Sequence, residues 1–585
     1  MSTSASSSSN LDRQKKSRLP HFRLLVVWGV LSAASVGLAV NLYQLQIVQS
    51  SVLLKKARKQ QTIELQRLIP RRPVVDRNNN VLAIDQPVYT LYAHPNQFKA
   101  SQREAIAAQL AEILKRPSAE LVKLLSTRNS GIRIASNLSE DIAAQIKKQI
   151  VSQTNGLELI QEYSRFYPQQ DLVADVVGYV NVDRSGQAGV EYTHKKFLER
   201  STQTLQLSRT GNGALMSADV PEEFVHVDDL HLQLTLDSRL QRAARHSLRQ
   251  QLQKFHAQRG SVIVMDAQDG SILTMVSEPS YNPNKYYKSD VKAFKNWTLA
   301  DLYEPGSTFK PLNVAIALET GAIQPNSVFG DPDVIKVSGW SIRNAEKEDR
   351  TSLSVTEILQ YSSNVAMVQV MQRMQPKDYY NWLERLGVKQ TVGIDLPFET
   401  PGQLKGQKQF IASPIEPATA SFGQGFSLTP IKLVQLHGAL ANGGKLVTPH
   451  VVRGVFNSKN KSYWQPTFPA PRPIFSEKTT QTVLEMMETV VTKGSGKAAQ
   501  VPGYRIAGKT GTSQTANVNG GGYYNGAKIV SFVGIIPVKS PRYVVLAVVD
   551  EPKGKGLIFG STVAAPIVRS VMEALITIER IPPSP

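Results

Sequence analysis

The sequence predicts an α/β domain whose sheet is assembled from segments far apart in the chain. A mixed strand-and-helix stretch and one N-terminal transmembrane helix precede it. Three observations carry this expectation. β-Branched strand runs lie near both ends of the region after residue 230, at 260–277 and 527–550, with helical periods between them. Residues 61–230 instead mix short apolar strands with helical stretches. Leu24–Tyr43 carries no charge and is about long enough to cross a bilayer as a helix.

Composition sets the outer limits. A chain of 585 residues is too long for one ordinary core, so two or more domains are expected. A hydrophobic content of 41% with 19% charged residues fits a folded protein rather than a disordered one. The net charge of +20 admits nucleic acid, a membrane surface or an acidic polymer as partner. Basic residues are scattered, and no stripe of them interleaves with aromatics, which argues against nucleic acid. The chain has no Cys, which fits either chance or an oxidising compartment. Either way, Cys nucleophiles, Cys-ligated zinc and iron–sulfur centres are excluded.

The elements follow in order. Residues 1–23 form a Ser-rich tail carrying Arg13, Lys15, Lys16, Arg18 and Arg23, and 24–44 is the expected anchor. A cleaved signal peptide shares the basic start, but this apolar run is longer than a usual signal core and no clear A-x-A site follows it. Four basic residues, Lys55, Lys56, Arg58 and Lys59, stand beyond the span against five before it. The basic bias is therefore slight, and the expected orientation keeps the short tail inside and the large remainder outside. Residues 45–60 read as a polar helical stalk. Stretches 101–125 and 139–150 read as helices, and 70–83 (PRRPVVDRNNNVLA) as an extended piece, an Asn turn and a strand. Another landmark, 165–180, is followed by Gly186, Gly189 and Glu191.

After residue 230 the pattern changes. Residues 232–252 read as a strand, a cap signal at Asp237/Ser238 and a helix. Residues 260–277 form a hairpin signal about Asp269-Gly270. Runs 527–538 and 542–550 are a second strand pair, and a helix over 562–578 closes the domain. There is no internal repeat.

Three short motifs stand out within that domain. Ser307-Thr-Phe-Lys310 follows the helix-breaking Glu304-Pro305-Gly306 and leads into an apolar helical period. Ser307 would therefore open a helix, with Lys310 one turn on and on the same face. A hydroxyl at a helix start, with an amine in reach, suits nucleophilic attack if burial lowers the amine's pKa. An ordinary N-cap serine with a solvated lysine has the same pattern. Ser289–Lys292 and Ser458–Lys461 repeat the spacing in charged or turn-like sequence, and both read as surface. Ser362-Ser-Asn364 interrupts an apolar helical run, so its polar groups either cap a helix or face a cleft.

Lys509-Thr510-Gly511-Thr512 has a competing reading, because 503–510 fits G-x-x-x-x-G-K-[ST], a phosphate-cradling loop. That loop needs a helix to open at its lysine. Here Tyr504, Arg505 and Ile506 read as a strand, and the Gly/Asn-rich run that follows cannot start a helix. The alternative is an edge strand offering Lys509, Thr510 and Thr512 to an anionic substrate.

Ser-x-x-Lys, Ser-x-Asn and Lys-Thr-Gly in this order resemble the signature of penicillin-binding proteins. The resemblance extends through PGSTFKP, YSSNVAMVQV, 422–444 (FGQGFSLTPIKLVQLHGALANGG) and AGKTGTSQ to the class B transpeptidase domain, over about 235–575. Residues 70–83 and 165–191 resemble the pedestal of the same class, although Arg72 and Asn79 stand where the family often has Gly.

The resemblance implies a penicillin-binding transpeptidase fold, a central antiparallel sheet flanked by helices. Its implied parts are a pedestal of mixed α+β structure over 45–230, a transpeptidase domain over 231–578 and a tail at 579–585. It implies Ser307 as the nucleophile on a D-Ala-D-Ala stem peptide, Lys310 as base, and Ser362 and Lys509 as proton carriers to the leaving amine. Asn364, Thr510, Gly511 and Thr512 would bind substrate, and the N–H groups of Ser307 and Thr512 would form an oxyanion hole. An amine acceptor from a neighbouring stem would resolve the ester, and β-lactams would acylate the same serine.

No metal, cofactor or nucleic acid is implied. Between the membrane and residue 230 the resemblance is to the pedestal, which leaves no room for a glycosyltransferase domain and favours class B over class A. Within class B the segments look most like the septal, cell-division type, with the elongation type as runner-up. The implied partners are a membrane glycan polymerase and division-complex proteins, at the bacterial inner membrane with the catalytic domain outside. Other readings are a non-catalytic penicillin-binding sensor or scaffold, and a hydrolase.

Overall fold

A computed structural model describes residues 19–67, 69–152, 154–200, 203–208, 227–345, 350–516, 523–554 and 556–584. The Ser-rich tail with Arg13, Lys15, Lys16 and Arg18, and the Gly/Asn-rich segment 517–522, lie outside the described residues. The chain divides into two compact units, Met1–Ile69 with Ser201–Val227, and Pro70–Arg200 with Asp228–Pro585.

In the first unit a helix over Leu19–Tyr43 continues as a π-helical turn, Gln44–Val48, and then as a helix over Ser50–Gln61. Leu24, Val27, Trp28 and Leu31 are exposed, and Phe22–Val48 is long and apolar enough to cross a membrane. Such a helix buries nothing against protein and satisfies its backbone internally, which is what a bilayer demands. Strand Thr62–Arg67 pairs antiparallel with Gln203–Ser208.

The second unit is built on a five-stranded antiparallel sheet. Its order is Ala507–Ala516, Tyr523–Ile536, Tyr543–Asp550, Arg259–Asp266 and Ile272–Glu278. The hairpin about Gly270 and the second strand pair both form as expected, and the sheet joins segments from opposite ends of the domain. Side chains alternate between two cores. Val262, Val264, Phe532 and Val545 pack with helices Ser238–Lys254 and Gly560–Glu579. Ile263, Met265, Val533 and Leu546 pack with Leu312, Ile316, Leu433 and Leu436 on the other side. Covering both faces explains why Tyr543–Asp550 reads as an unbroken apolar run. Gly560–Glu579 is also long and apolar enough to span a membrane, yet Val563, Val568, Met572 and Leu575 are buried in this core.

A seven-stranded sheet runs through both sides of residue 230. Val74–Val75 pairs parallel with His231–Leu234, while Val81–Ala93 pairs with Ile132–Leu138 on one edge and Leu157–Phe166 on the other. The helical stretch 101–125 is two helices, Arg103–Leu114 and Ser118–Leu125. Lys115 takes a left-handed conformation (φ 53°) and Pro117 opens the next helix, so the chain cannot continue straight. The turn at 78–80 forms with Asn79 at φ 65°, a left-handed position that Asn tolerates. Asp76 holds it by accepting the backbone N–H groups of Asn78 and Asn80. Arg72, the other departure from the family pattern, pairs with Asp228 at 2.9 Å.

Behind this turn lies a buried ion network. Glu191 accepts Arg71 at 2.9 Å and Arg165 at 2.6 Å, and Arg165 also reaches Asp85 at 3.1 Å. Breaking a buried pair is costly because it strands the partner charge. Glu191→Ala is expected to lower the unfolding free energy by about 3 kcal/mol or more, read as a depressed thermal midpoint. An unchanged midpoint would show that the network adds nothing to stability.

Candidate active site

The segment Glu304–Lys310 is shaped by close backbone packing. Gly306 has φ 56° and donates its N–H to the Gly423 carbonyl at 2.9 Å. Gly423 has φ 83°, and a Cβ there would lie 2.0 Å from the Gly306 oxygen. Only glycine fits. Ser307 sits in a single 3₁₀ turn, Gly306–Phe309, and the α-helix proper runs over Lys310–Glu319. The expected helix opening at Ser307 is thus a tighter turn feeding the helix. Ser307 is half-buried on the wall of a cleft, and Lys310 is fully buried beneath it.

Ser362 follows helix Val355–Tyr361, and Asn364 is the first residue of helix Asn364–Met371. The capping and cleft readings both hold, on different residues. Ser363 is the N-cap, accepting the Ala366 N–H at 3.0 Å. Ser362 reverses the chain in a left-handed conformation (φ 62°), which costs a non-glycine residue roughly 1–2 kcal/mol. That conformation aims its hydroxyl and carbonyl at the lysines. Lys310 Nζ donates to the Ser362 carbonyl at 2.5 Å and to Asn364 Oδ1 at 2.8 Å, with Ser362 Oγ at 3.2 Å. Asn364 Nδ2 is held by the Arg343 carbonyl at 3.0 Å.

Lys509 comes from the edge strand of the five-stranded sheet, opposite Val533. The strand starts at Ala507, so Tyr504–Ile506, expected as strand, instead precede it after a turn at Gly503 (φ 81°). A strand, not a helix, continues from Lys509, which removes the phosphate-loop reading. Lys509 Nζ lies 3.0 Å from Ser362 Oγ, 3.1 Å from the Thr510 carbonyl and 3.3 Å from Thr510 Oγ1. One hydroxyl is therefore shared by two buried amines. Burial holds the Lys310 pKa well below its usual value, with the charge of Lys509 adding to the effect and Asp331 opposing it. Burial alone brings Lys509 down to about 7.

Gly511 lets the strand lie against the nucleophile turn. A Cβ there would meet Ser531 Oγ at 2.4 Å, Thr308 Cγ2 at 2.8 Å and the Pro305 carbonyl at 3.2 Å. Thr512 Oγ1 accepts the N–H of Gly560 at 3.3 Å. Ser307, Ser362, Asn364, Thr510 and Thr512 all line one cleft. Lys292, Ser458 and Lys461, from the two repeated spacings, are exposed elsewhere.

Sequence reasoning missed three residues. Ser495 lines the cleft with its Oγ 3.0 Å from Thr510 Oγ1, and Asp331 and Asn344 line it beside Ser363. Ser495 follows a helix end, and the other two sit in loops. No local pattern marks them.

Comparison with known proteins gives the same architecture. The penicillin-binding protein transpeptidase domain family matches residues 260–573, and the penicillin-binding protein dimerisation domain matches 68–206. The chain is 41% identical to a peptidoglycan D,D-transpeptidase FtsI homolog of Mesostigma viride, covering 97% of this chain and 98% of that protein. It is 29% identical to the peptidoglycan D,D-transpeptidase FtsI of Escherichia coli K12, covering 96% and 92%. In fold it is similar to crystalline penicillin-binding protein 3 of Mycobacterium tuberculosis in complex with aztreonam. That match has a TM-score of 0.67 at 24% identity, over 89% of this chain and 98% of that one. With both domain families in sequence along one chain, and a relative matched almost end to end, this protein belongs to the class B penicillin-binding proteins of the FtsI-like type.

Proposed function

We propose that this chain is a serine D,D-transpeptidase that cross-links peptidoglycan stem peptides during septum synthesis and is acylated by β-lactams. The observation that carries the reading is the Ser362 hydroxyl held between Lys310 and Lys509, beside a half-buried Ser307. Ser307 Oγ attacks the carbonyl of the penultimate D-Ala. Lys310, neutral because it is buried, takes the Ser307 proton. The developing oxyanion is held by the N–H groups of Ser307 and Thr512.

Collapse breaks the peptide bond, and the terminal D-Ala leaves as an amine that collects a proton through Ser362 and Lys509. An amine from a neighbouring stem then attacks the ester and gives up a proton to the lysine side. As the bond to Ser307 breaks that proton passes to Oγ, leaving the cross-link and a regenerated hydroxyl. Asn364 orients the donor peptide. Thr510 and Thr512 take its terminal carboxylate, and Gly511 contributes by having no side chain to obstruct the approach.

The N-terminal helix serves as a single-span anchor with the catalytic domain outside the membrane, where the substrate is. The 45–230 region acts as the pedestal, and 231–578 as the transpeptidase domain. Through the anchor and pedestal it works beside a membrane glycan polymerase and other division proteins. Depletion in cells is expected to give filaments without septa. Rounded cells would overturn the septal assignment.

Fluorescent penicillin is expected to label the wild type and to leave Ser307→Ala unlabelled. Label on Ser307→Ala would sink the assignment. Cross-linked muropeptides are expected from lipid-linked substrate only when a glycan polymerase is added with the wild-type enzyme.

A working base must be neutral, and both lysines titrate below their usual range. Acylation is therefore expected to fall as pH drops through their titration and to level off above neutrality. A rate that rose on acidification would contradict a lysine base. Gly511→Ala, by pushing the edge strand off the nucleophile turn, is expected to slow acylation by about tenfold or more with the thermal midpoint nearly unchanged. Wild-type acylation in that variant would show the close approach is unnecessary.

A further inference from the structure

The cleft contains a buried acid that the reaction as described does not use. Asp331 is 6% exposed, in the loop after strand Val328–Gly330, and lines the same cleft as Ser307. Its carboxylate is engaged by neutral donors: Ser363 Oγ at 2.6 Å and Asn344 Nδ2 at 2.9 Å, both on Oδ1. Asn344 Oδ1 in turn accepts the backbone N–H groups of Asn364 at 2.8 Å and Val365 at 3.2 Å. The first three N–H groups of helix Asn364–Met371 are thus taken by Asn344 and Ser363, and both of these residues hang from Asp331. Ser362 and Asn364, the two groups that hold Lys310, sit on either side of Ser363.

We propose that Asp331 is the counter-charge of Lys310 and, through Ser363 and Asn344, the positioning residue that fixes Ser362 and Asn364 against it. This rests on Lys310 being the base in the reaction described above. Asp331 and Lys310 are held by the same three-residue segment, Asp331 by Ser363 and by Asn344 behind Asn364, Lys310 by Ser362 and Asn364. From there the carboxylate's charge raises the lysine's proton affinity against burial and Lys509.

The other ionisable groups around the cleft are accounted for among the described residues. Lys509 faces Lys310 from the edge strand. Arg350 lies over the Tyr361 ring at 3.3 Å on the rim. Glu304, on the nucleophile side, accepts the Gly425 N–H at 2.9 Å. His437 packs under the turn and is kept neutral by burial, with its pKa lowered to about 4. Residues 346–349 lie outside the described residues. A carboxylate buried without a cation bonded to it is expensive, and placing it at a helix start beside a buried amine recovers part of that cost.

The test is the rate of acylation by fluorescent penicillin over about pH 5–9, with purified full-length wild type, Asp331→Asn and Ser363→Ala. Asparagine keeps the acceptor for Ser363 and removes the charge. Losing a negative neighbour lowers the lysine's proton affinity, so the acid limb of Asp331→Asn is expected to move to lower pH by roughly one unit. Ser363→Ala keeps the charge and cuts the link, so its rate is expected to fall at every pH with the limb unmoved.

Thermal midpoints confirm that both variants fold. If Asp331→Asn fails to fold, Asp331→Glu, which keeps the charge, must retain the wild-type limb or the proposal fails. A wild-type limb that Asp331→Asn leaves in place overturns the counter-charge alone. A wild-type rate independent of pH removes Lys310 as the base, and the proposal with it.

Discussion

The structure depends on burying two lysines around one serine hydroxyl. An ammonium in a dry interior costs several kcal/mol, and two side by side cost more. The cleft meets this cost by letting both amines lose protons more readily than exposed lysines do, Lys509 at about 7. The surrounding geometry serves that condition. Ser362 adopts a left-handed turn so that its hydroxyl and its carbonyl can both face Lys310. Asn364 Oδ1 accepts a further hydrogen bond from the amine. Lys509 needs a strand rather than a loop beneath it, because a fixed backbone holds its nitrogen 3.0 Å from the shared hydroxyl.

Three glycines let the parts of the site touch. Gly423 meets the turn at Gly306, and Gly511 meets Thr308 and Pro305. Gly560, at the start of the last long helix, would place a Cβ 2.4 Å from the Ser531 carbonyl and 2.7 Å from that of Gly511. A turn, an edge strand and a helix from three distant stretches are locked together through backbone rather than through adaptable side chains. Rigid placement of reacting groups is worth large factors in rate, because small displacements are penalised heavily.

Much of this was legible in the chain itself. The hairpin about Gly270, the second strand pair and the N-terminal apolar helix follow from periodicity and length, since each is set by local apolar patterning. The three motifs were readable because the fold family ties short, chemically demanding residues to fixed contexts. Other features were hidden for physical reasons. Asp331, Asn344 and Ser495 become site residues only through tertiary proximity, and a lone Asp or Ser in a loop carries no periodic signal. The break at Lys115 needs the left-handed conformation to be seen, because the flanking apolar pattern runs on through it. Tyr504–Ile506 have strand-like composition but fall before the ladder begins. The parallel pairing of Val74–Val75 with His231–Leu234 was hidden because it joins two regimes of sequence that local patterning separates at residue 230.

The order of the five-stranded sheet also governs when the enzyme can exist. Strand Arg259–Asp266 is emitted early from the ribosome, yet its neighbour is Tyr543–Asp550, with Val264 lying opposite Val545. Until the last stretch of polypeptide has been made, that strand has an apolar, unpaired edge, and non-local pairing of this kind folds slowly. Lys509 arrives on a strand whose partner, Tyr523–Ile536, is also late. A product truncated before Ala507 therefore has a serine but no closed cleft. Closing the cleft waits on strands Ala507–Ala516, Tyr523–Ile536 and Tyr543–Asp550.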